Sequence, residues 1–184
     1  LSGGNFHGQA VAMASDFLAI VCANLAVISE RRTDRLVHPD FNQGLPPFLA
    51  GSPGLESGQM MSQVTAAALA SECKGLAHPA SVDSIPTDGN KEDVVPMAMG
   101  AATKLRRSVR NLRHVLAIEL IAAAEALEYR RPLRSSVAVE RAHAIVRQHV
   151  ARATGDRSPA PDITRLGDAV ASGAFDAITE GFIV

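Results

Sequence analysis

The residues from Gln9 to Arg35 contain neither proline nor glycine, and large apolar side chains recur among them at steps of three and four. This spacing predicts a single α-helix, which at 1.5 Å per residue would be roughly 40 Å long. The first two-thirds of the helix is apolar on more than one face, a pattern typical of a helix buried between other helices. The charged segment 30–35 at its end is expected to reach water or a partner chain.

The remaining chain repeats this helical pattern in segments 59–77, 95–129 and 136–153, and Pro161 begins a short terminal helix. Loops rich in proline and glycine separate the helices, because neither residue sustains a helix interior. No pair of strands is predicted. The fold class is therefore all-α, a bundle of long helices that extends into other chains.

Composition and charge exclude several classes of function. A net charge of −1 argues against a chain that mainly coats nucleic acid, and the longest unbroken apolar run, 17–23, is far shorter than the ~20 residues that a bilayer-spanning helix needs. Cys22 and Cys73 lie in apolar helical segments, which predicts reduced, buried thiols. We therefore expect a cytoplasmic protein without membrane association.

The histidines and cysteines do not form a metal-binding motif, so no metal site is predicted. The segment 104–152 carries eleven basic residues against four acids. Nucleic-acid binding is one interpretation, but Tyr129 is the only aromatic residue there that could stack on a base. We expect a solvated face, or one that pairs with acids of a neighbouring subunit.

Two loops are candidates for chemistry. The segment 88–93 places three carboxylates and one ammonium group before a long helix. The acids could simply cap this helix, or Glu92 could serve as a base or a substrate-binding carboxylate. The glycine-rich turn 2–8 precedes the first helix. Its Phe6 is either a buried anchor or an aromatic ring at the mouth of a site, with the helix N-terminus aimed at an anionic group.

Several ordered segments of this sequence resemble the histidine and aromatic amino-acid ammonia-lyases, most densely from Ser2 to about Leu133. They are Ser2-Gly3-Gly4-Asn5-Phe6-His7-Gly8, Glu30-Arg31-Arg32, Gly44-Leu45-Pro46-Pro47-Phe48-Leu49, Ser57-Gly58, the segment from Gln63 to Glu72, His78-Pro79-Ala80-Ser81-Val82-Asp83-Ser84, Asn90-Lys91-Glu92-Asp93 and Leu116-Ala117-Ile118-Glu119-Leu120.

The resemblance implies an enzyme that removes ammonia from an α-amino acid to give an α,β-unsaturated acid. The family uses a strong electrophile, 4-methylidene-imidazol-5-one (MIO), which forms autocatalytically from an internal Ala-Ser-Gly. It also implies a homotetramer built on a long helical bundle, in which three subunits assemble each active site.

Four residues are assigned to the site through the resemblance. Phe6 matches the aromatic residue that packs against the substrate ring. Glu92 matches a glutamate of the histidine-specific members, and a carboxylate can accept a hydrogen bond from an imidazole N–H that a benzene ring lacks. Asp88 stands at a position that lies near the substrate amine in some relatives. Lys91 stands where the histidine enzymes usually have glutamine, so it could pair with Glu92 or Asp88 and alter the pocket.

The tripeptide Ala171-Ser172-Gly173 has the composition of the MIO precursor, but its flanking residues do not match the family. We predict that this match arose by chance and that the electrophile forms outside this chain. The family's catalytic tyrosine and its carboxylate-binding arginine also belong to segments that this sequence lacks.

The chain begins at Leu1 without a methionine, and we expect it to be a processed or clipped piece of a longer polypeptide. It resembles the C-terminal third of a histidine ammonia-lyase, with a core portion at 1–133 and a helical tail at 134–184. Alone it is predicted to be inactive, because activity requires the N-terminal portion as a second chain or a cleaved fragment. The alternatives are a tyrosine or phenylalanine ammonia-lyase, an aminomutase, and a catalytically silent oligomerising module.

Overall fold

The structure, a computed structural model, describes residues 5–179, and the regular elements in this range are helices. In chain order they are α1 (Gln9–Val37), α2 (Met60–Leu76), α3 (Ala98–Tyr129), α4 (Val137–His149), α5 (Ala160–Ala171) and α6 (Asp176–Thr179). The prediction of an all-α fold with long helices is confirmed.

The helix bounds differ from the sequence prediction where the backbone leaves the helical region. The helix α3 begins at Ala98 and not at residue 95, because Met97 has a left-handed φ of 55°. The helix α4 ends at His149, four residues early, because Val150 is extended with φ −133° and ψ 114°. The predicted terminal helix is present and is followed by the single turn of α6.

The chain divides into two compact units, which we describe separately. The first contains α1 up to Val27 together with Leu69–Leu112, and the second contains Ile28–Ala68 and the chain from Arg113 onward. The long helices therefore each contribute to both units. The division at residues 133 and 134 stays a prediction.

Small residues form the interior of the first unit. Ala12, Ala19 and Ala101 are fully buried, and small side chains of this kind let helices approach closely. Cys73 is fully buried and its Sγ lies 3.8 Å from the backbone oxygen of Ser108. Both cysteines are free and buried, as predicted from the sequence, and burial raises the pKa of each thiol.

Branched and aromatic side chains form the core of the second unit around the C-terminal half of α3. Val37 and Leu49 pack there against Ala122 and Ala126, and four partly buried residues surround them: Leu36, Leu45, Phe48 and Tyr129. The Tyr129 hydroxyl donates a hydrogen bond to the backbone oxygen of Leu49, 3.2 Å away. These contacts hold the proline- and glycine-rich loop against α3.

One helix among the described residues, α1, is long and apolar enough to cross a membrane, with a mean hydropathy of 2.1 over its most apolar 18 residues. The central helix of a bundle has the same properties. The unbroken apolar run 17–23 underestimates the hydropathy of α1, because Ser15, Asp16 and Asn24 interrupt the run of apolar residues but not the helix. The helix exposes a set of large apolar side chains: Val11, Met13, Phe17, Leu18, Ile20, Val21, Leu25 and Ile28.

Candidate active site

The loop that carries Glu92 is a closed turn. Its backbone passes through three left-handed residues, Asp88 (φ 49°), Gly89 (φ 62°) and Asn90 (φ 68°), and then returns to pair with itself. The N–H of Thr87 donates a hydrogen bond to the backbone oxygen of Glu92 at 3.0 Å. In return, the N–H of Glu92 donates to the backbone oxygen of Thr87 at 3.4 Å. The turn thus has a fixed shape of its own.

The Glu92 side chain is half-buried and points back to this turn. The Thr87 hydroxyl donates a hydrogen bond to Glu92 Oε2 at 2.9 Å. Asp88 and Lys91 are exposed, and neither makes an ion pair with any residue in the described range. The pairing that Lys91 could make with Glu92 or Asp88 is therefore not formed among the described residues.

The acids of segment 88–93 do not cap the helix that follows them. That helix, α3, begins at Ala98 and has no acidic residue in its first turn. The capping interpretation is wrong because Pro96 and the left-handed Met97 separate the acids from the helix. Glu92 is instead held within its own turn.

The turn that carries Phe6 leads into α1. The N–H of Gly8 donates to the backbone oxygen of Asn5 at 3.1 Å, and the Phe6 ring is 86% exposed with its edge against His7. The interpretation of Phe6 as a buried anchor is therefore wrong, and the ring is free to contact another molecule. The preceding Ser2-Gly3-Gly4 lies outside the described residues.

Packing brings the Phe6 turn to the beginning of α3. Gly8 has a φ of 75°, and a methyl group added to it would lie 3.3 Å from the Ala98 Cβ. Glu92 lies six residues before Ala98 in the same unit. The Phe6 turn therefore packs at the N-terminal end of α3, and the Glu92 turn precedes that end in the sequence.

Asp16 anchors the segment that leads to the Glu92 loop, a role that the sequence analysis missed. It is only 4% exposed, and its Oδ2 accepts a hydrogen bond from the N–H of Ser81 at 2.7 Å. Burial raises the pKa of the Asp16 carboxyl, but hydrogen bonds from the backbone of Ser81 and Ala80 outweigh this and lower the pKa overall. The ammonium group of Lys104 donates to the backbone oxygen of His78 in the same segment. An acid within an apolar helical stretch was the available sequence signal.

In the second unit, the motif Glu30-Arg31-Arg32 connects helices. Glu30 is 5% exposed and accepts hydrogen bonds from Arg31 and, at 2.9 Å, from Gln63 of α2. Arg32 makes a two-pronged ion pair with Glu119 of α3, at 2.5 and 2.9 Å. The expectation that this charged segment reaches water or a partner chain is therefore wrong for Glu30, which is buried inside the chain.

A polar cavity of about 440 Å³ lies in the second unit. Tyr129, Glu125 and Arg152 contribute to its lining, and burial raises the pKa of the Tyr129 phenol. The residues assigned to the site from the sequence, Phe6, Asp88, Lys91 and Glu92, belong to the first unit.

The tripeptide Ala171-Ser172-Gly173 forms the C-terminal cap of α5. The N–H of Ser172 donates a hydrogen bond to the backbone oxygen of Asp168 at 2.9 Å. The Ser172 hydroxyl donates a hydrogen bond to the backbone oxygen of Ala169 at 3.0 Å. Gly173 takes the left-handed conformation, with φ 80°, that commonly ends a helix. The tripeptide thus has an ordinary structural role.

Much of the basic segment 104–152 is engaged inside the chain. Its cations pair with carbonyl oxygens or with acids, and those engaged are Lys104, Arg107, Arg130, Arg131, Arg134 and Arg147. No group of three histidine, cysteine, aspartate or glutamate residues within the described range is arranged to hold a metal ion.

Comparison with known proteins identifies the family. A family model described as aromatic amino acid lyase matches residues 1–148. The chain belongs to this family. The resemblance noted in the sequence is thereby confirmed, and the match includes the segments that carry Phe6 and Glu92.

Relatives of the aromatic amino acid lyase family match almost the whole chain. A histidine ammonia-lyase of Koribacter versatilis is 54% identical over 177 residues, which are 96% of this chain and 34% of the relative. The crystal structure of histidine ammonia-lyase from Trypanosoma cruzi has a TM-score of 0.94 and 40% identity, over 100% of this chain and 36% of that one. Tyrosine aminomutase from Streptomyces globisporus has a TM-score of 0.91 and 37% identity, over 96% of this chain and 34% of the other. The chain therefore spans about a third of the length of these relatives.

Proposed function

We propose that this chain is one part of an ammonia-lyase that removes ammonia from an α-amino acid, with L-histidine as the substrate and urocanate as the product. The observation that carries the proposal is the 54% identity to a histidine ammonia-lyase over 96% of the chain. We further propose that the chain is the C-terminal portion, and that an N-terminal portion, as a second chain or a cleaved fragment, supplies the rest of the active site.

Glu92 is the proposed carboxylate that recognises the substrate side chain. A carboxylate accepts a charge-assisted hydrogen bond from an imidazole N–H, and it can also receive a proton. Its half-buried position and its bond to Thr87 support this role, because they fix where the acceptor lies. A phenyl ring offers no comparable donor, which favours histidine over phenylalanine.

Phe6, Asp88 and Lys91 are the proposed neighbours of the substrate. The exposed Phe6 ring can pack against the substrate ring once the remaining portions of the enzyme cover it. Asp88 is a proposed partner for the substrate ammonium group. Lys91 has no ion-pair partner within the described range, so its charge remains available to the substrate or to another chain.

The electrophile of this reaction is proposed to reside outside this chain. In the family it is the MIO group, which activates the substrate for loss of ammonia. Ala171-Ser172-Gly173 does not fit its formation, because its backbone N–H groups and its serine hydroxyl are engaged in the cap of α5. The contribution of this chain is therefore binding and proton transfer, not the electrophile.

A homo-oligomer, which we propose to be a tetramer, would cover the apolar side chains that α1 exposes. Phe17 and Leu25 are 66% and 48% exposed, and exposure of many such side chains on one helix marks a surface that another chain covers. The two free, buried thiols are compatible with the proposed cytoplasmic location.

The proposal is tested by measuring urocanate formation from L-histidine, through its ultraviolet absorbance, with the purified 184-residue chain and with the complete enzyme. We expect no turnover by the chain alone and turnover by the complete enzyme. Glu92→Gln should lower kcat/KM for histidine by about a hundredfold, in the range seen when a proton-transfer group is lost. Turnover by the isolated chain, or an unimpaired Glu92→Gln enzyme, would refute the proposal, and the second result would favour a silent oligomerising module.

An aminomutase is the second candidate function, favoured by the TM-score of 0.91 to a tyrosine aminomutase. The two reactions differ in product, since an aminomutase releases a β-amino acid in place of the olefin. Mass analysis of the products from histidine, tyrosine and phenylalanine separates them. We expect the olefin from histidine to be the main product.

A further inference from the structure

Thr87 and Glu92 are joined by three hydrogen bonds across the turn. Two are the reciprocal backbone bonds at 3.0 and 3.4 Å, and the third joins the Thr87 hydroxyl to Glu92 Oε2 at 2.9 Å. The backbone bonds fix the Cα of Glu92, and the hydroxyl fixes the direction of its carboxylate. Glu92 Oε1 receives no hydrogen bond from a residue in the described range.

The chain between the two residues takes an uncommon path. Asp88 and Asn90 both have positive φ values, which are rare for residues with a side chain. Such positions persist where the surrounding contacts determine them, and they cluster at ligand sites. Here the Thr87–Glu92 bonds are the contacts that close the turn.

Two outer contacts extend this support to the body of the first unit. The N–H of Val95 donates to the Ser84 hydroxyl at 3.0 Å, which closes the loop outside the turn. Three residues before Ser84, the N–H of Ser81 is held by the buried Asp16 of α1. The Glu92 carboxylate is therefore tied through the Thr87 turn to a rigid helix.

We propose that Thr87 is a positioning residue for Glu92. Through this contact, Thr87 helps Glu92 select a substrate with an imidazole ring. The Thr87 hydroxyl holds Oε2 in place, and Oε1 stays open to the N–H of a substrate ring. A carboxylate has lone pairs for several donors, so both bonds form at once. This inference rests on the proposed function, since it requires that Glu92 contacts the substrate.

The test uses the complete enzyme with four single variants and one double variant, in which Thr87→Val is combined with Glu92→Gln. Thr87→Val keeps the side-chain shape and removes the hydroxyl, Thr87→Ser keeps the hydroxyl, and Glu92→Gln removes the carboxylate. Thr103→Val is the matched control, because Thr103 is exposed on α3 and has no side-chain hydrogen bond within the described range.

We expect Thr87→Val to lower kcat/KM for histidine about tenfold, the scale of one hydrogen bond to a charged group. Thr87→Ser should recover most of this loss, and Thr103→Val should match the unmodified enzyme. In the Glu92→Gln background, Thr87→Val should cause no further loss, because residues that act through one another are not additive.

Inhibitor binding gives a second readout that does not depend on turnover. Urocanate carries an imidazole ring and cinnamate carries a phenyl ring in its place. Thr87→Val should weaken inhibition by urocanate about tenfold and leave inhibition by cinnamate unchanged, because only the imidazole donates to Glu92. A general distortion of the site would weaken both inhibitors alike.

The outcomes separate the two proposals. Full activity of Glu92→Gln would overturn the proposed function of Glu92, and with it the role of Thr87. An impaired Glu92→Gln enzyme combined with a Thr87→Val enzyme that behaves like Thr103→Val would overturn only the role of Thr87. Equal weakening of urocanate and cinnamate by Thr87→Val, or a loss that Thr87→Ser does not recover, would also overturn it.

Discussion

Asp156 and Gly58 lie 98 positions apart in the sequence, and the Asp156 carboxylate accepts a hydrogen bond from the N–H of Gly58 at 2.9 Å. The same carboxylate accepts a second hydrogen bond, from the N–H of Ser57, at 2.8 Å. Gly58 has a φ of 54°, and a Cβ there would lie 2.5 Å from the backbone oxygen of Phe48, so no other residue fits. This contact clamps the chain after α4 onto the loop that leads into α2.

Asp156→Ala should release the loop at Ser57 and Gly58. We expect amide hydrogen exchange at both residues to accelerate, because their acceptor is lost. The control is Asp168→Ala, since Asp168 is exposed and its side chain has no hydrogen-bond partner within the described range. Unchanged protection in Asp156→Ala would contradict the clamp.

The clamp should also depend on pH. The backbone N–H groups of Ser57 and Gly58 lower the pKa of Asp156 below its ordinary value of 3.8. A carboxyl group whose pKa is lower in the folded state stabilises the fold when the pH is above the group's ordinary pKa. This contribution to stability disappears as the pH falls through the pKa of the folded state. Protection at Ser57 and Gly58 should therefore decrease below about pH 4 in the unmodified protein and stay constant in Asp156→Ala.

Arg147 should be essential for docking α4 on α3. Its guanidinium pairs with Glu125 at 3.0 Å and with Glu128 at 3.2 Å, and the Glu125 side chain is only 4% exposed. Arg147→Leu would leave a buried carboxylate without its cation, a change that costs about 3–5 kcal/mol. We expect a clearly lower urea midpoint for the complete enzyme.

The matched control for Arg147→Leu is Arg134→Leu. The Arg134 side chain is 75% exposed and meets Glu140 at 3.3 Å, so its loss should cost about 1 kcal/mol or less. Equal urea midpoints for the two variants would show that the buried pair contributes no more than a surface pair.

The long helices could be predicted from the sequence because their signals are local. Apolar spacing and the absence of proline and glycine correctly predicted that α1 begins at Gln9. They also predicted its end to within two residues of Val37. Ends set by distant contacts were missed. Beyond the true end of α4, the N–H of Ala153 donates to Glu125 of α3 at 3.2 Å, and no local pattern predicts such a bond.

The candidate site was predictable in composition but not in geometry. The family resemblance selected Phe6 and Glu92, yet the acids near Glu92 were also interpreted as helix caps. Distinguishing the two requires the left-handed path through Asp88 and Asn90. Gly89 indicates a sharp turn, but it does not show that both neighbouring residues are left-handed as well. Asp16 was missed because its partner, Ser81, lies 65 positions away.

The start of α4 should respond to acid through Glu140. The Arg131 guanidinium and, next, the N–H of Ser135 lower the pKa of Glu140 from 4.5 to about 2. The stabilising contribution of Glu140 is complete above pH 4.5 and is lost as the pH falls from there to about 2. We expect the amide of Ser135 to lose protection in this range. Glu140→Gln should lack the transition, whereas Asp93→Asn, a change at an exposed acid, should keep it.

The exposed apolar side of α1 should hold the complete enzyme together. Phe17, Val21, Leu25 and Ile28 follow one another at steps of three and four, so they share one side of the helix. Burying such a side chain contributes about 1.5–3 kcal/mol, and a charge in its place would have to be buried without a partner. Phe17→Asp should therefore lower the mass of the assembly in analytical ultracentrifugation.

Leu55→Asp is the control for this surface, because Leu55 is 91% exposed and lies outside α1. It should leave the assembly intact. If other portions of the same subunit cover α1, Phe17→Asp would lower the melting temperature without changing the mass of the assembly. That result would contradict the assignment of this face to contacts between subunits, while loss of mass together with loss of turnover would support an active site shared among them.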